Sequence, residues 1–83
     1  MRPRPRNPMP DDVRGALADA GLTDAYAARP AYQRNDYLGW IARARTEETR
    51  RRRTGQMLDE LREGGVYMGM SHPPSRRRAG RDD

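Results

Sequence analysis

Between Pro10 and Met70 the apolar residues return every three or four positions, the period of a helix rather than of a strand. In PDDVRGALADAG, Val13, Ala16, Leu17 and Ala20 fall on one face. Pro10 and Asp11 open that segment, with Asp11 as its N-cap, and Gly21 closes it. A short second helix follows, roughly Thr23 to Ala28, with Leu22 and Tyr26 as its apolar contacts and Pro30 as its stop. AYQRNDYLGWIARAR then places Tyr37, Trp40, Ile41 and Ala44 at i, i+3, i+4 and i+7, with Leu38 on the flank. This is the strongest amphipathic signal in the chain. Thr46 can cap a fourth helix, whose first turn carries Glu47 and Glu48 where the helix dipole favours acids. That helix runs to about Arg62 and ends at Gly64-Gly65. The expected fold is all-α, a small bundle of three to four helices.

Two segments stand outside this pattern. MRPRPRNPMP has four prolines and cannot propagate a helix, so residues 1–10 read as a disordered or polyproline-like arm. Residues 71–83, from SHPPS onward, have no apolar anchors and read as a disordered basic tail. The helical domain is therefore expected over residues 11–70. GGVYMGM, just before the tail, either packs Val66, Tyr67 and Met68 on the bundle or offers a short strand to a partner. Tyr26, Tyr32, Tyr37 and Trp40 are the expected core of a chain that has no phenylalanine, with an aromatic ligand cage as the alternative.

The net charge of +5 invites a nucleic-acid reading until it is located. Residues 1–10 carry three arginines, residues 11–63 carry ten arginines against ten carboxylates, and residues 64–83 carry four arginines against two aspartates. The excess sits on the two ends, and the folded part is neutral. Every one of the 17 basic residues is arginine.

Arg50 to Arg53 form a run of four, but successive helix residues are rotated by about 100°, so the run spreads around the cylinder. Glu47 with Arg51 and Glu48 with Arg52 are i,i+4 pairs in the favourable orientation, each contributing about 0.3–0.5 kcal/mol at an exposed site. Arg50 and Arg53 share a face with Met57 and Leu61. There they either lay their stems over the core edge, heads against a carboxylate or carbonyl, or contact an external anion. Asn35 and Asp36 sit near enough in the pattern to satisfy one of them, as a structural polar clasp.

Catalytic chemistry finds little footing. The chain has no cysteine and one histidine, His72, in the tail, which excludes thiolate and histidine-based metal sites. No Gly-rich phosphate loop is present. Asp59, Glu60 and Glu63 make an acidic patch that reads as solvated helix surface. No catalytic residue, cofactor or metal is expected. No stretch of about 20 apolar residues could span a membrane, and no signal peptide is visible, so a cytoplasmic protein is expected.

The residues Tyr37, Trp40 and Ile41 in YxxWI, then Ala44 and Arg45, then Glu48, Thr49, Arg50 and Arg53 in ETRxxR, resemble the signature of the YdeI/OmpD-associated family. This bacterial family is also called bacteriocin-protection. RPAYQRNDYLGWI upstream and QMLDELREGGVYMGM downstream are similar to its small stand-alone members, so the resemblance covers roughly Asp11 to Met70. Arg45 stands where relatives commonly carry lysine, and a chain of 83 residues leaves no room for the β-rich N-terminal domain many of them have. The resemblance implies a helical domain linked to envelope stress or antimicrobial-peptide resistance, and supplies no catalytic residues. Asp36, Tyr37, Trp40, Arg45, Glu48, Thr49, Arg50 and Arg53 are thus the candidate binding or clasp residues. A non-enzymatic module with an unidentified protein partner is the first expectation. Nonspecific nucleic-acid binding through the arginine-rich arms and the fourth helix is the alternative.

Overall fold

The structure is a computed structural model that describes residues 6–71. Residues 1–5 and 72–83, where most of the expected arm and tail fall, lie outside the described residues. Four helices follow one another: α1 (Asp11–Asp19), α2 (Thr23–Ala27), α3 (Ala31–Ala42) and α4 (Glu47–Glu63). Two short strands, β1 (Val66–Tyr67) and β2 (Met70–Ser71), then pair antiparallel with Tyr67 opposite Met70. The all-α bundle expected from the sequence is present, and α4 is its axis, touching α1, α2, α3 and β1. Among the described residues, no helix is long and apolar enough to cross a membrane.

α1 starts one residue earlier in register than its acids suggest. Pro10 is the N-cap, with extended backbone and its carbonyl accepting Arg14 N–H at 3.0 Å, so Asp11 is already helical. Asp11 serves the first turn instead, bonded to Arg14 at 2.7 Å. The helix ends in a Schellman turn. Leu22 N–H reaches the Leu17 carbonyl at 2.9 Å and Gly21 N–H the Ala18 carbonyl at 3.1 Å, with Gly21 at φ +69°. Leu17 and Leu22, the apolar pair that accompanies such a turn, are both buried. On α4, Thr46 is the N-cap and its hydroxyl accepts Thr49 N–H at 3.1 Å, as expected.

Val13, Leu17, Tyr37, Ile41, Met57 and Leu61 form the centre of the core, each no more than 2 % exposed. Leu22, Ala25, Tyr26 and Leu38 complete it. On α3 the buried line is Gln33, Tyr37 and Ile41, at i, i+4 and i+8. Trp40 is only half-buried, against the rim of the core, and Tyr32 is 43 % exposed. The sequence pattern placed both in the core because it counted apolar residues, and Gln33, a polar one, takes a place on the inner face. A glutamine with hydrogen-bond partners can occupy the inner face and rotate the helix about its axis.

The N-terminal segment also joins the domain sooner than the expected boundary at residue 10. Asn7 N–H donates to Asn35 Oδ1 at 2.7 Å, and Asn7 Nδ2 donates to the Asn35 carbonyl at 3.0 Å. Met9 packs on the core. Gly39 permits this crossing, since a Cβ there would stand 2.8 Å from Asn7 Nδ2.

Candidate functional site

The charged groups deepest in the fold are Arg29 and Glu60, 4 % and 5 % exposed. Arg29 follows α2, and Pro30 behind it turns the chain into α3. Its Nη1 donates to Gln33 Oε1 at 3.0 Å and its Nη2 to the Glu60 backbone carbonyl at 2.9 Å. That carbonyl lies in the last turn of α4, where the helix dipole favours a cation. Gln33 passes its amide on to the Tyr32 hydroxyl at 3.2 Å.

The Glu60 carboxylate gathers four donors. The Tyr37 hydroxyl donates to Oε1 in a short bond, and Gln56 Nε2 donates to Oε2 at 2.9 Å. The amides of Met68 and Gly69 donate to Oε1 and Oε2, each at 2.7 Å. Met68 and Gly69 have φ of +53° and +80°, the paired left-handed turn that closes a two-residue hairpin and turns consecutive amides the same way. The carboxylate thus fills an anion cradle made by the hairpin tip. Burial, and then the bond to Glu60, push the Tyr37 phenol well above its usual range.

Tyr67 completes the seal. Its ring meets Tyr37 and Tyr32 edge-on, at centroid separations of 5.6 and 6.0 Å, and its hydroxyl donates to Asp36 Oδ2 at 2.5 Å. Of the two readings of GGVYMGM, the structure has the packed one: Tyr67 and Met68 lie against the core.

The arginine run divides as its helical positions require. Arg50 forks onto Asp12, Nε to Oδ2 at 2.8 Å and Nη2 to Oδ1 at 3.0 Å. That charge-assisted bond holds the Asp12 carboxyl below its usual range. Arg53 Nη1 donates to the Trp40 carbonyl at 2.7 Å, and its guanidinium lies over the Trp40 ring, 5.3 Å from the centroid. It thereby fills a carbonyl that the end of α3 leaves open and adds a cation–π contact. Arg51 meets Glu47 at 3.4 Å on the surface. The expected Glu48–Arg52 bridge does not form, and both side chains stay exposed.

Asp36 therefore clasps neither Arg50 nor Arg53. It faces the hairpin, where the Tyr67 hydroxyl donates to it. Asn35 binds the N-terminal segment through Asn7. Of the eight candidate residues, Tyr37 and Asp36 join the cluster under the hairpin, Trp40 and Arg53 tie α3 to α4, Arg50 ties α4 to α1, and Thr49 belongs to the N-terminal cap of α4. Arg45 and Glu48 are exposed surface. Arg29, Gln33 and Glu60 were missed. Glu60 had a signal: it lies three residues after Met57 and next to Leu61, on the buried side of α4.

The description of the matching family is "Bacteriocin-protection, YdeI or OmpD-Associated", and its model covers residues 8–64, well over half of the chain. The chain belongs to this family. No curated protein and no solved structure matches the chain. The YdeI/OmpD-associated match begins within the segment that Asn7 and Met9 attach, earlier than the Asp11 start expected from the motifs. It stops at Gly64, before the hairpin that Glu60 holds. Its span contains Arg29, Gln33, Tyr37, Arg50, Arg53 and Glu60, so the polar framework described above lies inside the family region.

Proposed function

We propose that this YdeI/OmpD-associated protein is a small non-enzymatic module that acts in the cytoplasm by binding another protein, in the response to envelope stress or antimicrobial peptides. The observation that carries this reading is the use made of the motif arginines. Arg53 is committed to the Trp40 carbonyl and ring, and Arg50 to Asp12, so these two motif side chains assemble the domain. The buried charges of Arg29 and Glu60 are likewise bonded to neutral groups of the fold. Such a framework presents a rigid surface, which is what a binding module requires.

Affinity capture of the full chain from its native host, after challenge with an antimicrobial peptide and with nuclease present, tests the proposal. Enrichment of one protein that survives nuclease is the expected result. Recovery of nucleic acid alone, lost on nuclease treatment, would replace it with the nucleic-acid reading.

A further inference from the structure

Beside the start of α3, an open groove of about 490 Å³ is lined by Arg6, Tyr26, Tyr32, Arg34 and Leu38, with Asn7 and Asn35 along one wall. Among the described residues its charge has a single sign, since two arginines line it and no carboxylate does. Arg34 is already positioned. It is half-buried, and its Nε donates to the Arg29 carbonyl at 3.1 Å. Its two terminal nitrogens have no partner among the described residues. Arg6 is exposed and likewise carries no bond among them. The floor is apolar: Leu38 and Tyr26 are 6 % and 8 % exposed, and the more open Tyr32 ring stands at the edge.

We infer that this groove is the docking site for an acidic peptide segment of the protein partner, an inference that rests on the binding-module reading. A guanidinium fixed through Nε, with Nη1 and Nη2 unbonded among the described residues, presents the planar fork that a carboxylate accepts. The apolar floor takes an aliphatic or aromatic side chain next to that carboxylate. The volume lies in the range of pockets that enclose a few side chains or a small ligand. A nucleic-acid strand instead draws its affinity from many phosphate contacts along an extended basic track. Two cations in a recess of side-chain size fit the peptide better.

The test is a titration of the ¹⁵N-labelled full chain with a capped peptide of alternating glutamate and leucine, followed by amide shifts. Shifts should concentrate at Asn7, Tyr26, Tyr32, Arg34 and Leu38. Arg34→Gln and Tyr32→Ala should each weaken binding by at least about fivefold. Arg6→Gln removes no bond among the described residues and should weaken it while leaving the melting temperature unchanged. Peptide shifts on another face, or unchanged affinity in Arg6→Gln and Arg34→Gln, would overturn the groove assignment. Either result would leave the module reading standing, because that reading fails only in the host capture. A single-stranded oligonucleotide or inorganic phosphate binding the same amides more tightly than the peptide would also overturn it.

Discussion

The Glu60 carboxylate accepts the Met68 amide at 2.7 Å, across the gap between the last helix and the hairpin that follows it. A non-glycine residue at φ +53° is a costly conformation, about 1 kcal/mol or more. The buried acid offsets it by receiving the two amides that the turn exposes. The same carboxylate receives Tyr37 from α3, so one side chain joins the core helix, the axial helix and the hairpin.

Tyr37→Phe removes one donor from Glu60 and keeps the ring, so it should cost about 1–3 kcal/mol near neutral pH. It should also change the alkaline behaviour. A phenol whose pKa is raised by folding contributes stability that is complete below its unfolded value and is lost as pH rises toward the folded one. The native protein should therefore weaken above about pH 10, and the variant should lose part of that slope. Urea titrations between pH 7 and pH 11 read both effects.

The four arginines of the run should differ in stability measurements. Arg51→Ala and Arg52→Ala should each cost less than about 0.5 kcal/mol, since among the described residues one has only an exposed pair and the other none. Arg50→Ala loses a forked but partly exposed pair, about 1 kcal/mol. Arg53→Ala leaves the Trp40 carbonyl without its donor and should cost about 1–3 kcal/mol. Equal costs along the run would contradict the division.

Acid should act on the Arg50 pair in particular. The Asp12 carboxyl is held below its ordinary value of 3.8 by the Arg50 hydrogen bond, so its stabilisation is present above that value and is lost as pH falls through the lower folded one. Asp12→Asn should flatten the stability profile in that acid window and leave the alkaline side unchanged. Melting temperatures from pH 7 down to pH 2 give the comparison.

Trp40 and Ile41 are neighbours in sequence with different roles. Ile41 is fully buried, and Ile41→Ala should cost about 3–4 kcal/mol, close to the whole stability of a domain this small. Trp40→Ala removes a rim ring and the cation–π contact and should cost about half as much. Chemical denaturation of the two variants separates them, and a larger loss in Trp40→Ala would place the core elsewhere.

Gly39→Ala has an expected effect that changes sign with its neighbour. With Asn7 present, the new Cβ presses on Nδ2 at 2.8 Å and loosens the N-terminal segment, so the change should be neutral or destabilising. In an Asn7→Ala background the obstruction is gone. There, Gly39→Ala should stabilise by about 0.5–1 kcal/mol through helix propensity. A double-mutant cycle on thermal melts checks the reversal.

The helices were legible because their ends carry strong local signals: Gly21 in its left-handed turn, Pro30 before α3, Thr46 at the start of α4. The inner face of α3 was harder to read. Periodicity counts apolar residues, so it favoured Trp40 over Gln33, whose amide oxygen is met by Arg29 from the link between α2 and α3. The same limit hid Glu60, which looked like part of a solvated acidic run with Asp59 and Glu63. Its donors, Met68 and Gly69, are backbone amides that no sequence pattern displays. The separation of Arg50 and Arg53 from Arg51 and Arg52 followed from helix geometry alone. Their partners, Asp12 and the Trp40 carbonyl, required the tertiary fold.

Amide hydrogen exchange at Met68 and Gly69, compared between the native chain and Glu60→Gln, tests the central role of Glu60 most directly. A carboxamide cannot accept all four donors, because its amino group faces the two that one carboxylate oxygen accepted: Tyr37 and Met68, or Gln56 and Gly69. In the native chain these two turn amides should exchange slowly, with protection approaching that of α4. In Glu60→Gln at least one of them should exchange at close to the free-chain rate, while α1 and α2 remain protected. Fast exchange of both amides in the native chain, or equal protection in the variant, would contradict the account.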